Sequence, residues 1–268
     1  MPKNVIVVGM ARSGTSLTAS IFARHGYFVD EQGSIAPSNH LNPKGYWESK
    51  SLVKLNAKIL RSSGFPRDNT WIYKEITDEQ VEYINQIVLD DEFRDFLNGF
   101  NQKAPWVWKD PRLCYTLGCW WPLLDKRNTA VLLVRRDPEA IYNSFVRAGW
   151  RKHGSGERQA TFERIDSHIR NAEAIFDRFA IPAVTIQYED FRNNPESVVE
   201  KINASCGLSL TISDLGYDER FNHDKLSGKI GTYLDKGINK LPVRWIKRLK
   251  RIVPGFLLSI LYPERYEK

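Results

Sequence analysis

The stretch NVIVVGMARSGTSLTASIFARHG, residues 4–26, decides the fold of this chain. It begins with an apolar, β-branched run at 5–8 that has the length of a buried strand. A loop with Gly9 and Gly14 follows, and apolar residues then recur at helical spacing until Gly26, which can end a helix. A strand, a tight glycine turn and a helix N-terminus direct backbone N–H groups and the positive end of a helix dipole to one point. The stretch therefore predicts an anion-binding site.

The spacing from Gly9 to Gly14 is that of a phosphate-binding P-loop. In a nucleoside triphosphatase, a lysine and a Ser/Thr follow the second glycine, and they bind the β- and γ-phosphates and magnesium. Here Thr15 and Ser16 take these places, and the cation is Arg12, inside the loop. The pattern favours an anion site and argues against hydrolysis of ATP or GTP.

Length and composition narrow the class of protein. The 268 residues, 42% of them hydrophobic, suffice for one large α/β domain. The N-terminal apolar run is too short for a signal peptide, and Cys114, Cys119 and Cys206 form no CxxC pair, so we expect a cytoplasmic protein. Because no histidine–cysteine cluster has zinc spacing, we expect no metal. The net charge of +7 indicates an affinity for anions without choosing among them.

Three more apolar segments have the length of strands, and each ends abruptly in polar residues. The segments are 106–108, 130–134 and 183–187, and they are followed by Lys109 and Asp110, by Arg135 and Arg136, and by Tyr188. Helical patterns separate the strands, which predicts an α/β fold of the P-loop type: one domain, residues 1–268, with a central parallel sheet flanked by helices. Ligands of such sheets lie at the carboxyl ends of the strands. The residues at these ends, and those of the glycine loop, are therefore predicted to line one site.

Several helices can be placed from periodicity and from start signals. We expect one amphipathic helix over 78–100, another over 160–179, and two that begin at Pro138 and Pro195. A further helix starts just after Glu48, which lies on a loop close in sequence to the anion site. That position alone would suit an acid that complements a helix dipole.

Taken together, these motifs resemble those of the sulfotransferases that use 3′-phosphoadenosine 5′-phosphosulfate (PAPS). Arg12-Ser13-Gly14-Thr15-Ser16 is similar to the family's 5′-phosphosulfate loop. Arg136-Asp137-Pro138 followed by Ser144 is similar in residue type and spacing to its 3′-phosphate motif. Tyr188-Glu189-Asp190 is similar to the strand end at which the family's tyrosine lies near the adenine. The resemblance covers about residues 4–210.

The resemblance implies an enzyme that moves a sulfuryl group in line from PAPS to an acceptor hydroxyl or amine and releases PAP, without a metal. Such transfer depends mainly on positioning and on stabilisation of charge, as phosphoryl transfer does. The implied ligands of the 5′-phosphosulfate are Arg12, Ser13, Gly14, Thr15 and Ser16, those of the 3′-phosphate are Arg136 and Ser144, and Tyr188 lies near the adenine.

The general base is also implied by the resemblance. Cytosolic members of the family use a histidine two positions after a lysine, and Pro111 stands there in this sequence. The heparan sulfate branch uses a glutamate downstream of the loop, assisted by a lysine, and this sequence looks more like that branch. The implied base is then Glu48, with Lys109 as the cation on the sulfate side, while Asp110 and His40 remain alternative bases.

Two competing functions are a P-loop kinase or nucleotide hydrolase, and a nucleotide- or glycan-binding protein that keeps the fold without turnover. We expect the partner to be an acceptor such as a glycan, a glycolipid, a small alcohol or a tyrosyl peptide, and not a nucleic acid. The sequence selects none of these acceptors and no oligomeric state. Trp47, Trp106 and Trp108 flank the implied base and lysine, so they can form an acceptor platform or, as most aromatic residues do, fill core.

The segment 241–263 is basic and amphipathic, and its apolar part is too short to span a bilayer. It can lie on an acidic membrane surface, such as the inner face of the cell membrane, or bind an acidic acceptor. A solvated basic helix packed on the domain is the equally open alternative.

Overall fold

The computed structural model of the chain describes residues 2–31, 34–35, 45–66, 69–72 and 75–218. The predictions on His40 and on the segment 241–263 lie outside the described residues. Residues Met1–Tyr217 cluster as one compact unit and Asp218–Lys268 as another, and the single domain over 1–268 stays a prediction.

Four parallel strands form the central sheet, in the order β2-β1-β3-β4. The strands are β1 Asn4–Val8, β2 Val107–Lys109, β3 Thr129–Arg135 and β4 Val184–Gln187. All five residues of β1 are buried, as expected of a strand that is covered on both faces by helices. The predicted α/β fold with a parallel sheet is confirmed, and all four strand ends point to one edge.

The helices connect and flank these strands. They are α1 Thr15–Arg24, α2 Lys50–Ser62, α3 Asp78–Asn85, α4 Asp91–Asn101, α5 Leu113–Trp120, α6 Pro138–Arg147, α7 Ser155–Phe179, α8 Asp190–Asn193 and α9 Pro195–Cys206, with short 3-10 turns at Trp121–Leu123 and Ile212–Leu215. The helices predicted after Glu48, at Pro138 and at Pro195 are confirmed. Gly26 follows the end of α1 at a φ of 81°, which confirms its predicted role as a helix stop.

The single helix predicted over 78–100 is wrong, because the segment forms α3 and α4. The Asp90 side chain accepts a hydrogen bond from Glu92 N at 3.1 Å and caps a new helix. Helix α5 was not predicted, since all its residues are buried and it therefore shows no polar face in the sequence.

One face of the sheet is covered by an aromatic core. The rings of Trp106 and Trp108 stack with centroids 4.5 Å apart, and the Phe100 ring contacts both. Both tryptophans are fully buried, so the interpretation of these two as an acceptor platform is wrong. Trp120 and Trp121 are buried as well and belong to the same core.

A buried asparagine ties the end of β2 to the helices around it. Asn56 of α2 donates to Asp110 Oδ2 at 2.9 Å, and it accepts from Thr116 Oγ1 and Trp120 Nε1, each at 2.9 Å. All four side chains are buried. Every polar atom in such a network needs its partner, so the segment after Lys109 is held in one position.

A second buried network joins α7 to the rest of the unit. His168 is fully buried, and its Nε2 atom is 2.7 Å from Thr70 Oγ1. Its Nδ1 atom is 2.8 Å from the carbonyl oxygen of Arg164 and 3.4 Å from the hydroxyl of Tyr115. Burial lowers the pKa of His168 to about 3, with smaller contributions from its neighbours.

This network predicts a loss of stability in mild acid. Below the unfolded-state pKa of about 6.5, the unfolded chain gains a proton at His168 that the folded chain does not, down to a pH of about 3. From pH 6.5 to 4.5, wild type should lose about 2 kcal/mol more free energy of unfolding than His168→Gln, measured by urea denaturation.

The control is His25→Gln, because His25 is partly exposed and lies 3.4 Å from Asp214. We expect this variant to keep the acid-induced loss of stability that the burial of His168 causes. An unchanged profile for His168→Gln would show that His168 is not the group that titrates.

Candidate active site

The glycine loop between β1 and α1 is tightly enclosed. A Cβ atom on Gly9 would lie 2.5 Å from the carbonyl oxygen of Val134 in β3. Gly14 has a φ of 102°, and a Cβ atom there would lie 2.2 Å from Cδ2 of Tyr188. Both positions therefore require glycine, because a side chain would collide with the neighbouring strand end.

The loop presents polar groups at the start of α1. Gly14 caps this helix without a side-chain hydrogen bond, so the first backbone N–H groups are left for a ligand or solvent. Ser13 is 1% exposed, and its hydroxyl has no hydrogen-bond partner among the described residues. Thr15 is buried, whereas Ser16 is half-buried. The loop thus places a buried hydroxyl beside the N-terminus of α1, a combination that suits an anion.

The two predicted phosphate-binding motifs meet at Arg12. Its backbone has a φ of 68°, and its Nε atom donates to Ser144 Oγ at 2.9 Å. Arg136 Nη1 donates to the carbonyl oxygen of Arg12 at 3.2 Å, and its guanidinium lies 4.3 Å from the ring centroid of Tyr188. The structure therefore brings Arg12, Arg136, Ser144 and Tyr188 into one cluster, although 176 positions separate the first from the last.

The charges of the cluster favour a bound anion. Burial lowers the pKa of the Arg12 guanidinium, and the positive charge of Arg136 lowers it further, against the opposite effects of Tyr46 and Tyr188. Among the described residues, no carboxylate forms an ion pair with Arg12. A bound anion would stabilise both neighbouring cations.

The corner between β3 and α6 positions Ser144. Asp137 caps α6 by accepting from Ala140 N at 2.8 Å, and Pro138 is the first residue of the helix. The backbone N–H of Asp137 donates to Glu189 Oε1 at 3.0 Å, which fixes the corner to the end of β4. Ser144 follows within this rigid helix and is 3% exposed.

The end of β2 and the residues just before α2 carry the predicted acid–cation pair. Lys109, the last residue of β2, is 3% exposed, and its Nζ atom donates to Glu48 Oε1. The Glu48 side chain is 18% exposed. It directly precedes Ser49, which caps α2 by accepting from Leu52 N at 3.0 Å. Glu48 therefore lies outside α2, and its carboxylate reaches Lys109 at the end of β2. The position of Glu48 in the sequence does not by itself predict this contact.

Asp110 has a different environment. It is fully buried and accepts hydrogen bonds from Arg112 N at 3.1 Å, from Arg112 Nη1 at 2.8 Å and from Asn56. Both carboxylate oxygens are thus already used by protein donors. This side chain anchors the segment after β2.

A cleft of 510 Å³ borders the loop at the ends of β3 and β4. Ser13 and Arg136 line it, but so do three carboxylates, those of Asp137, Asp166 and Glu189. Because the carboxylates would repel a phosphate, the cleft is a poorer place for an anion than the cluster around Arg12.

Tyr46 is a site residue that the sequence did not reveal. It is half-buried, and its interaction with Arg12 raises the pKa of that guanidinium. The only signal was its position two residues before Glu48, after the turn residue Gly45.

Comparison with known families agrees with this geometry. A family model described as the sulfotransferase family matches residues 2–212. The chain therefore belongs to the sulfotransferase family. No curated protein sequence matches it significantly.

Solved structures with a similar fold are distant in sequence. The sulfotransferase domain from the curacin biosynthetic pathway is 16% identical, with a TM-score of 0.47 over 80% of this chain and 77% of that one. The sulfotransferase domain from the Synechococcus PCC 7002 olefin synthase is 15% identical, with a TM-score of 0.49 over 79% and 75%. In the described part of this chain, no helix has the length and hydropathy for a bilayer crossing.

The enclosure of the loop predicts different costs for two alanine substitutions at positive φ. Gly14→Ala places Cβ into the Tyr188 ring, whereas Gly26→Ala, at a φ of 81°, has no atom within 4 Å. Both lose about 1 to 2 kcal/mol to backbone strain, and Gly14→Ala should lose at least about 1 kcal/mol more from overpacking. Chemical denaturation measures both, and equal costs would contradict the described contact between the loop and Tyr188.

Proposed function

We propose that this protein transfers a sulfuryl group from PAPS to an acceptor hydroxyl or amine and releases PAP. The observation that carries the proposal is the cluster of Arg12, Arg136 and Ser144 around the glycine loop. It combines two cations with a buried hydroxyl, and no carboxylate of the described residues pairs with Arg12. A donor with phosphates on both its 3′ and its 5′ oxygen requires two anion sites side by side. The loop supplies one of them, and Arg136 with Ser144 of α6 supplies the other.

Each part of the site takes one role in donor binding. The backbone of Gly14, with Arg12, Ser13, Thr15 and Ser16, binds the 5′-phosphosulfate, and Arg136 with Ser144 binds the 3′-phosphate. Arginine suits this second role because it pairs with phosphate oxygens bidentately. Tyr188 lies near the adenine and holds the Arg136 guanidinium against its ring.

The transfer step needs stabilisation of negative charge on the leaving phosphate. As the bond from sulfur to the phosphate oxygen breaks and the bond to the acceptor oxygen or nitrogen forms, charge grows on the leaving PAP. Arg12 and the N–H groups at the start of α1 face that charge from a fixed position, so no reorganisation is needed during the reaction. No metal has a role in this proposal.

Glu48 is the proposed general base, with Lys109 beside it on the sulfate side. Support comes from the partial exposure of Glu48 and its contact with the buried Lys109, which fixes the carboxylate at the edge of the sheet. When Glu48 accepts the acceptor proton, it loses its charge, and Lys109 becomes available to an oxygen of the sulfuryl group. Asp110 is the weaker alternative, because its oxygens already accept from Arg112 and Asn56.

Donor binding is the first test. Calorimetry should give tight binding of PAP and at least tenfold weaker binding of 5′-AMP to wild type, because charge-assisted hydrogen bonds contribute about 1.5 to 3 kcal/mol. Arg136→Ala should weaken PAP binding by about tenfold or more. Arg135→Ala is the matched control, since the adjacent Arg135 pairs with Glu173 at 2.9 Å, and it should bind PAP like wild type.

Other outcomes favour other functions. Preference for magnesium-ATP would favour a kinase or nucleotide hydrolase. Binding of PAP without transfer to any acceptor would favour a binding protein of the same fold. The cytoplasmic location, and contact of the segment 241–263 with a membrane surface, stay predictions.

Catalysis is tested by screening acceptors with radiolabelled PAPS. Glu48→Gln should lower kcat by about 100-fold or more and leave PAP affinity unchanged, because it removes a base and not a phosphate ligand. Glu92→Gln is the control, since it also removes a carboxylate that pairs with a lysine, Lys58, on the surface. Full activity of Glu48→Gln would assign the proton transfer to another residue.

A further inference from the structure

A second pair of cations lies on α7 and on the turn that precedes it. Arg164 is 8% exposed, yet its Nε and Nη1 atoms have no hydrogen-bond partner among the described residues. The Nε atom of Arg151 is likewise buried without a partner in the described part of the chain, although its Nη1 atom is 3.3 Å from Glu157 Oε2. Buried polar groups are nearly always hydrogen-bonded in folded proteins. Guanidinium donors without a protein partner can therefore take a hydrogen bond to an oxygen atom of a ligand or of solvent.

Charges of both signs act on Arg164. Burial lowers the pKa of its guanidinium, and the nearby charge of Arg151 lowers it further, while Glu75, Tyr115 and Glu163 act in the opposite direction. Glu75 is an exposed residue, and within the described residues no carboxylate lies within ion-pairing distance of Arg164. The positive charge of Arg151 thus acts on a guanidinium that is itself buried, although the opposing effects of Glu75 and Tyr115 on that guanidinium are larger. An oxyanion in contact with both arginines would remove the repulsion between them.

Two half-buried tryptophans lie on the apolar cluster that α7 covers next to Arg164 in the chain. The ring centroids of Trp71 and Trp150 are 6.5 Å apart, and both rings pack on the apolar cluster that contains Ile165, the neighbour of Arg164. The Trp71 segment is fixed to α7 by the hydrogen bond between Thr70 and His168. Aromatic faces next to arginines suit a molecule with an apolar or ring-shaped part and an anionic group.

This region adjoins the transfer site on two sides. The same apolar cluster contains Ala11, which precedes Arg12, and Phe145, which follows Ser144. The guanidinium of Arg112 lies 5.1 Å from the Trp71 ring and pairs with Asp110. The apolar cluster thus connects the segment of α7 that carries Arg164 with the residues next to Arg12 and Ser144.

We propose that Arg151 and Arg164 bind an anionic group of the acceptor, a carboxylate, a sulfate ester or a phosphate, with Trp71 and Trp150 beside it. The proposal rests on the proposed sulfotransfer and narrows the acceptor to negatively charged molecules. Arginine pairs suit such groups because each guanidinium can donate two parallel hydrogen bonds to one oxyanion.

The test uses inorganic sulfate as the probe and protein saturated with PAP, so that the donor site is filled. Calorimetry should give sulfate binding to wild type and at least about tenfold weaker binding to Arg164→Gln, because a charged donor is lost. Arg170→Gln is the control, since it removes the same charge from an exposed position of α7. Equal sulfate affinity in all three proteins would overturn the proposal.

Two further variants keep the test decisive if Arg164→Gln does not fold. Arg151→Gln should weaken sulfate binding in the same way. Glu75→Gln retains both arginines and removes an opposing carboxylate, so it should bind sulfate more tightly than wild type. If Arg164 served only to neutralise the charge of Glu75, sulfate affinity would be the same in Arg151→Gln, in Glu75→Gln and in wild type. That result would refute the anion site.

Failure of the proposed function is distinguishable from failure of the anion site. If PAP does not bind, the sulfotransfer proposal fails, and the sulfate titration without PAP still tests Arg164. If an acceptor is found, Arg164→Gln should raise its KM by about tenfold and leave the KM of PAPS unchanged. A preferred acceptor without a negative charge, or an unchanged KM, would contradict the proposal.

Discussion

The guanidinium groups of Arg12 and Arg136 lie together where the glycine loop meets the end of β3, and the rest of the site depends on how they are held. Arg12 is fixed by its hydrogen bond to Ser144 and by its contact with Arg136 through its own carbonyl oxygen. Tyr188 encloses the pair, since its ring contacts Gly14 on one side and the Arg136 guanidinium on the other. Cations that are partly buried and close together are stabilised by an anion, and this requirement links the architecture of the unit to its function.

The scaffold supplies the rigidity that such a cluster needs. The parallel order β2-β1-β3-β4 gathers all strand ends at one edge. The buried Asn56 holds the segment that follows Lys109, and Asp137 with Glu189 fixes the corner from which α6 presents Ser144. Charges that would be mobile on a free surface are thereby held at fixed positions, which is the condition for the charge stabilisation that the proposed transfer requires.

Much of this could be predicted from sequence, because the strands, the glycine loop and the helix starts are set by local patterns. The β-branched run at 5–8 and the turn residues around Gly9 and Gly14 specify their own conformation. By contrast, the contact between Glu48 and Lys109 depends on how a loop returns to a strand end 61 positions away, and no local pattern carries that information. Residue type also misled the interpretation of two tryptophans as an acceptor platform, because the type of a residue does not show whether its side chain is buried. Trp106 and Trp108 lie next to site residues in the chain but point into the core.

A crystal structure of the protein with PAP is the most direct test of the anion cluster. We expect the 3′-phosphate within hydrogen-bonding distance of Arg136 and Ser144, and the 5′-phosphate at the N–H groups of the loop beside Arg12. A nucleotide bound with its 3′-phosphate away from these side chains, for example in the carboxylate-lined cleft beside β3 and β4, would contradict the assignment of the cluster as the donor site.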